Sequence, residues 1–222
     1  GSPSLSNLSL DDIDHIEIIS GSAGALYGAG AVGGIINIIS KPISRRLQAG
    51  VSVGSDQYVQ YRLSASEKAG NFGIQALGEK TLADNYRDQN AVNNGYGQAR
   101  LSWDTQAFSA YIEANRQDRN QQYPGSLFNP AYSTNRLQAS NPGDHMDSLQ
   151  ERYNAGLKFA IAENWSLKLD GSKRQYEAQG QLTSGGAASP IQQDRTQVNF
   201  NPQLSGHTQL GTVKLNVVTG FD

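Results

Sequence analysis

Hydrophobic and polar residues alternate with a period of two over most of the chain. From Leu47 onward, apolar residues occupy every second position in runs such as residues 59–65 and 108–114. Successive side chains of a β-strand point to opposite faces of a sheet, so this pattern predicts strands with one apolar and one polar face. The runs predict nine strands, at residues 51–53, 59–65, 72–78, 97–103, 108–114, 153–161, 165–171, 198–204 and 213–217.

A different pattern precedes these strands. Residues 15–19 (HIEII) and 35–39 (IINII) are rich in β-branched residues and predict two further strands. A glycine-rich connection at residues 21–34 separates them, and Pro42 ends the second strand. The chain therefore divides into a short leading part and a long strand-rich part.

The predicted connections between the later strands alternate in length. Residues 69–71, 104–106, 162–164 and 206–208 predict tight turns, whereas residues 84–95, 118–149 and 179–193 predict long loops. Outer-membrane barrels have this asymmetry, with short periplasmic turns and longer outer loops. Four aromatic residues lie near the tight turns on the apolar side of their strands, as the aromatic girdle at a membrane interface requires: Phe72, Trp103, Phe108 and Trp165.

Composition and charge narrow the range of functions. Apolar residues make up 37% of the chain, below the ~45–50% of ordinary soluble domains. The net charge of −2 offers no electrostatic footprint for nucleic acid, and the lack of cysteine excludes disulfides and thiolate zinc sites. The three histidines also lack metal-ligand spacing. We therefore expect no nucleic-acid partner, no metal, no cofactor and no catalytic residue.

One glycine motif suggests a dinucleotide-binding enzyme as an alternative. Residues 28–33 (GAGAVG) match the pattern G-x-G-x-x-G and follow a predicted strand. That function requires a helix to begin at the last glycine. The β-branched residues 35–39 predict a strand there instead, so a nucleotide site is disfavoured.

The same segment carries a more specific resemblance. Residues 16–19 (IEII), Gly21, residues 25–28 (ALYG) and residues 31–41 (AVGGIINIISK) resemble, in order, the end of the plug domain of TonB-dependent outer-membrane transporters. Ser20 and Ser22 depart from the family, which usually has Arg and Pro at these positions. The residues that carry the plug motif are Glu17, Gly21, Leu26, Tyr27, Gly28, Gly33, Gly34 and Asn37.

The resemblance implies a fold and a division of the chain. We expect a mainly all-β protein, with the C-terminal part of a plug at residues 3–42 and the first part of a 22-stranded, plugged barrel at residues 43–222. Gly1 and Ser2 are typical of residues left by cloning. The polar side of the strands suits a wet or plugged lumen, and the apolar side suits outer-membrane lipid.

The resemblance also implies a function, which is import of a scarce ligand across the outer membrane of a Gram-negative bacterium. A ferric siderophore is the expected ligand, haem or cobalamin are alternatives, and the TonB-ExbB-ExbD system is the expected partner. A soluble β-rich adhesion or carbohydrate-binding protein is the alternative from another class. Arginine and tyrosine suit an anionic, aromatic iron chelate, so the candidate ligand-binding residues are Arg116, Arg119, Tyr123, Tyr132 and Arg136.

Overall fold

A computed structural model describes residues 13–21, 33–210 and 213–220. This part of the chain forms eleven β-strands and one short helix, arranged in two antiparallel sheets. No helix within it is both long enough and apolar enough to cross a membrane. The mainly all-β fold expected from the sequence is confirmed.

The leading part forms a two-stranded sheet. Strand β1 (Ile13–Ser20) pairs antiparallel with β2 (Gly34–Ser40), so the two predicted strands are confirmed. Because β2 begins at Gly34, no helix follows the glycine motif. The dinucleotide-binding alternative is therefore wrong, since its phosphate site needs a helix N-terminus at this position.

The long part forms a nine-stranded sheet in which each strand pairs with the next one along the chain. The number of strands predicted from the alternating pattern is confirmed. Their lengths grow from 8 residues in β3 to 24 in β10. The strands are β3 (Arg46–Val53), β4 (Val59–Ala69), β5 (Phe72–Ala83), β6 (Val92–Asp104), β7 (Phe108–Gln122), β8 (His145–Ala162), β9 (Trp165–Ser184), β10 (Ala187–Leu210) and β11 (Val213–Gly220).

The connections at the two ends of this sheet differ in length. At one end, residues 70–71, 105–107 and 163–164 form the tight turns that the sequence predicts. At the other end, residues 84–91 form the β5–β6 loop and residues 123–144 form the β7–β8 loop, which contains helix α1 (Ala131–Thr134). We call this second end the loop end.

Two predicted connections are wrong. Residues 179–193 form no long loop, because β9 and β10 stay paired up to a two-residue turn at Gly185 and Gly186. Their φ angles of 61° and 82° suit a tight hairpin turn that residues with a β-carbon rarely adopt. Residues 206–208 form no turn either, because they continue β10 and pair with β11. In both cases apolar residues do not occupy every second position, so no apolar alternation marks the strand.

The two faces of the large sheet are exposed to different degrees. The apolar residues of the alternating pattern lie on one face, which we call the outer face, and they are exposed: Leu47 is 77% exposed and Ile112 58%. Phe72 and Trp103 lie directly opposite each other there, beside the tight turns. An exposed apolar band with aromatic residues at its end fits a lipid-facing surface.

Candidate functional site on the inner wall and at the loop end

The polar face of the large sheet forms a wall that we call the inner wall. It consists of the polar residues that alternate with the outer-face residues along β4 to β10. Polar side chains at its centre are well buried, with Gln75 and Gln117 at 7% exposed and Gln150 at 6%. Buried polar side chains on this face are expected of a lumen face.

On β4 to β7, two inner-wall arginines each lie beside a glutamate. Arg62 Nε lies 3.2 Å from Glu79 Oε2, and Arg100 Nη1 lies 3.4 Å from Glu113 Oε2. Gln60 Nε2 also donates a hydrogen bond of 2.9 Å to Glu79 Oε1. Each carboxylate is thus held by a cation and a neutral donor, which satisfies more of its acceptor sites than an ion pair alone.

Tyr111 on β7 connects the inner wall of β4 to β7 with that of β8 and β9. Its hydroxyl donates a hydrogen bond of 3.1 Å to Asp170 Oδ1 on β9. The Arg100 guanidinium lies 4.4 Å from the centre of the Tyr111 ring, within the range of a cation–π interaction. The ring also crosses Gly156 on β8, where a β-carbon would overlap the ring. One side chain therefore contacts three neighbouring strands.

On β8 to β10, three arginines share one region of the inner wall, which we call the arginine cluster: Arg152, Arg174 and Arg195. Arg152 lies directly opposite Arg174 in the β8–β9 register, and the β9–β10 register places Arg195 diagonally beside Arg174. Both neighbours repel the Arg174 guanidinium electrostatically. Arg174 Nε donates a hydrogen bond of 3.0 Å to Gln150 Oε1.

The arginine cluster lacks the counter-charges found on β4 to β7. Within the described ranges, no carboxylate oxygen lies within 4.0 Å of a side-chain nitrogen of its three members. The cluster is not recognisable in the sequence, because about twenty residues separate each arginine from the next. The polar alternation places each of them on the inner wall, but only the pairing register brings them together.

At the loop end, Arg87 joins two loops. Its guanidinium, on the β5–β6 loop, donates hydrogen bonds to the backbone carbonyls of Pro124, Gly125 and Gln138 on the β7–β8 loop. The Gln138 bond is 2.8 Å long. A planar donor that reaches both ends of a long loop restricts its conformations, so the two loops form one joined surface.

Asp144 fastens the end of the β7–β8 loop to the β9–β10 hairpin. Its carboxylate accepts hydrogen bonds of 2.8 Å from the Thr183 backbone N–H and of 2.8 Å from the Thr183 hydroxyl, and its backbone carbonyl accepts one from Tyr123 N–H. The bond from the Thr183 backbone N–H, more than any other contact, lowers the pKa of the Asp144 carboxyl below its usual range.

The structure separates the two predicted ligand-binding arginines of β7. Arg119 lies on the inner wall and donates a hydrogen bond of 2.9 Å to Gln121. Arg116 lies on the outer face, where Nη1 is 2.7 Å from Glu151 Oε1. Their difference follows from the period of two, because an odd separation places two residues on opposite faces.

The other three predicted ligand-binding residues share the β7–β8 loop. Tyr132 belongs to α1, and the Arg136 guanidinium lies 5.2 Å from the centre of its ring. Tyr123 lies at the start of the loop and is 38% exposed. The loop end thus presents an exposed pair of aromatic and cationic groups. Ligand binding by any of the five predicted residues stays a prediction.

The plug motif lies partly within the described residues. Glu17 on β1 lies opposite Asn37 on β2, and His15 Nε2 is 3.5 Å from Glu17 Oε1. The glycines of the motif that are described lie at strand ends: Gly21, Gly33 and Gly34. Three residues of the motif lie outside the described residues: Leu26, Tyr27 and Gly28.

Metal-binding geometry is absent from the part of the chain that the structure describes. No group of three or more histidine, aspartate or glutamate side chains there is arranged to hold an ion. His145 Nδ1 contacts the Gly143 carbonyl oxygen at 2.8 Å, which is a local contact at a strand end. The candidate site is therefore a surface of hydrogen-bonding and charged groups.

Comparisons with known proteins agree with this architecture. The family model of the TonB-dependent receptor plug domain matches residues 1–35. The vitamin B12 transporter BtuB of Vibrio vulnificus (strain CMCP6) is 28% identical over 227 residues, which cover 100% of this chain and 32% of that protein. The ferric enterobactin receptor of Pseudomonas aeruginosa is 36% identical over 64 residues, covering 29% of this chain and 8% of that protein.

A solved structure extends the likeness over nearly the whole fold. The ferric citrate transporter FecA in its unliganded form superposes with a TM-score of 0.82 at 20% sequence identity, covering 96% of this chain and 34% of that one. The chain thus spans about a third of the length of BtuB and of FecA. Together the plug match, the relatives and the fold confirm the resemblance: over the end of the plug and the first part of the plugged barrel, the chain is similar to the TonB-dependent outer-membrane receptors.

Proposed function

We propose that this chain forms part of a receptor that imports a ferric siderophore across the outer membrane of a Gram-negative bacterium. The observation that carries the proposal is the order of parts, in which a plug-like hairpin precedes nine antiparallel strands. That order agrees with FecA over 96% of the chain. The receptor would draw energy for transport from the TonB-ExbB-ExbD system in the inner membrane.

Two surfaces support transport through a barrel. The outer face exposes large apolar side chains, and burial in lipid removes them from water. The inner wall carries the polar and charged groups that a hydrated passage requires. A soluble adhesion protein is disfavoured, because Val53 at 77% exposed and Val198 at 70% belong to a broad apolar face.

The ligand is proposed to be a ferric chelate, with cobalamin or haem as the alternatives. Relatives named for iron chelates and for vitamin B12 both match the chain. Tyr132 and Arg136 at the loop end favour an anionic, aromatic chelate, since guanidinium groups bind its oxygens and tyrosine rings stack on it. The role is therefore transport, with no chemical conversion of the ligand assigned to the chain.

Uptake of labelled ligand tests this proposal. A strain that lacks the gene is complemented with the full-length receptor, and uptake of radioactive ferric siderophores is measured beside uptake of radioactive cobalamin. We expect energy-dependent iron uptake that is lost in a strain without TonB. Cobalamin uptake without iron uptake would show that cobalamin, and not a ferric siderophore, is the transported ligand. Uptake of neither would contradict a transport function.

A further inference from the structure

The geometry points to the arginine cluster (Arg152, Arg174 and Arg195), with Tyr176 beside it, as a binding site for an oxygen-rich anion. The ligand class is a polycarboxylate or a similarly charged chelate, selected over a neutral molecule. This inference rests on the proposed function where it concerns the transported ligand. The site uses none of the five residues that the sequence nominated.

The like charges of the arginine cluster are costly without an anion. Two residues directly opposite each other on antiparallel strands have β-carbons ~4.5–5.5 Å apart, and a like-charged pair in that position is destabilising. Arg152 and Arg174 occupy such a pair, and Arg195 adds a third positive charge. An anion between them would turn this repulsion into attraction.

The hydrogen bonding of the three arginine side chains also favours ligand binding. Gln150, which is 6% exposed, accepts hydrogen bonds from Nε and Nη2 of Arg174 and thereby fixes the orientation of that guanidinium. Within the described residues, Arg152 and Arg195 make no hydrogen bond or ion pair through their side chains. Their donors are available to a ligand. Guanidinium groups bind carboxylates through two parallel hydrogen bonds, so three of them suit a ligand with several carboxylates.

Alternation keeps the two acidic residues that neighbour the site in the sequence on the opposite face of the sheet. Glu177 follows Tyr176 in the sequence and Asp194 precedes Arg195, so each region is close to neutral along the chain. Glu177 and Asp194 lie opposite each other in the β9–β10 register, on the outer face. The sheet thus keeps these two acids away from the site, and Glu113, which lies diagonally beside Arg152 on the inner wall, is held by Arg100, Gln98 and Asn154.

Tyr176 extends the site toward the loop end. It lies opposite Gln150 on β8 and opposite Arg195 on β10, in the inner-wall row next to the Arg152–Arg174 pair. A phenol supplies a hydroxyl donor and a ring face, which suit the oxygens and the apolar parts of a chelate. A neutral ligand would gain these contacts but not the charge-assisted bonds to the arginines.

Citrate binding to the full-length receptor in nonionic detergent tests the site, with citrate itself as the probe in isothermal titration calorimetry. The double variant Arg152→Gln/Arg195→Gln removes two charges and no observed hydrogen bond. We expect its citrate affinity to fall roughly tenfold or more, since two charge-assisted contacts are lost. We also expect its unfolding temperature without citrate to stay the same or rise, because like-charge repulsion is relieved.

A matched control separates the site from general charge effects. Lys173→Gln removes one positive charge next to Arg174 in the sequence but on the outer face, so citrate affinity should not change. Equal loss in this control, or unchanged affinity in the double variant, would overturn the proposal. If the double variant does not fold, the single variant Arg195→Gln, at an exposed residue, is used in its place. It should weaken citrate binding about threefold or more.

Further probes identify the ligand class and separate this inference from the proposed function. Inorganic phosphate in place of citrate shows whether any compact anion suffices, and equal affinity for both would refute selection of a polycarboxylate. Citrate binding that depends on the arginines, in a receptor that transports no iron chelate, would keep the site and reject the function. Iron uptake unaffected by the double variant, together with unchanged citrate affinity, would keep the function and reject the site.

Discussion

Arginines lie in two regions of the inner wall, and the two groups differ in whether a carboxylate lies beside them. On β4 to β7, Arg62 and Arg100 each lie within 3.4 Å of a glutamate. On β8 to β10, the arginine cluster has no carboxylate partner among the described residues. Arg62 and Arg100 are therefore neutralised by neighbouring glutamates, whereas the arginine cluster keeps its positive charge, as expected of a surface that binds an anion.

This comparison shows that counting charges along a chain does not locate a charged surface. Glu113 faces the inner wall, where it meets Arg100. Glu177 and Asp194 face the other way, although each neighbours a member of the inner wall in sequence. In a β-sheet, the face of each residue and the register of its strand decide whether opposite charges meet.

We expect the largest effect on stability when a glutamate that neutralises an inner-wall arginine is removed. Glu113→Gln removes the carboxylate that Arg100 Nη1, Gln98 Nε2 and Asn154 Nδ2 contact. We expect a loss of about 2 kcal/mol in the free energy of unfolding, since a largely buried guanidinium loses its counter-charge. Denaturant unfolding of the detergent-solubilised receptor measures it. A loss below that of an exposed pair would show that the two regions do not differ.

Adding a carboxylate beside the arginine cluster should have a smaller effect on stability. Gln197→Glu places a carboxylate directly opposite Arg174. We expect a gain of about 0.5–1 kcal/mol in the free energy of unfolding, because an opposite charge now faces the cluster. Citrate binding should weaken at the same time, since the carboxylate competes for the arginines. A variant that is destabilised and still binds citrate would contradict the comparison.

A change of pH tests the contact between Asp144 and Thr183, which fastens the β7–β8 loop to the β9–β10 hairpin. Asp144 has a lowered pKa because it accepts hydrogen bonds from Thr183. Its stabilising contribution is therefore complete above the usual pKa of about 3.9 and disappears as the pH falls through the lower folded-state pKa. Asp144→Asn should lower the unfolding temperature at pH 7, and this difference should vanish in strong acid. A difference that shows no decrease as the pH is lowered from 7 into acid would contradict the assignment.

The smallest effect is expected on the outer face. Arg116 and Glu151 form an ion pair of 2.7 Å, but the Arg116 side chain is 59% exposed. Glu151→Gln should therefore change the free energy of unfolding by only about 0–0.5 kcal/mol. The same denaturant experiment measures it beside Glu113→Gln. A loss equal to that of Glu113→Gln would show that burial on the inner wall adds nothing.

Much of the fold follows from local sequence pattern. The alternation of residues 59–65 and 108–114 gave the strands and their faces, because side-chain direction in a strand depends only on position along it. The hairpin at Gly185 and Gly186 was missed, because the paired residues around it lack regular apolar alternation. The candidate residues were chosen for chemistry alone, so Arg116 and Arg119 were grouped although they face opposite ways.

The sequence by itself determined the number of large-sheet strands, the apolar outer face and the resemblance to the end of a plug. All three depend on residues close together along the chain. Only the tertiary structure decided which distant residues meet, including Arg152 with Arg174 and Tyr111 with Asp170. The physical reason is that a pairing register is fixed by the cooperative hydrogen bonding of whole strands, and a shift of one residue would turn every side chain to the other face.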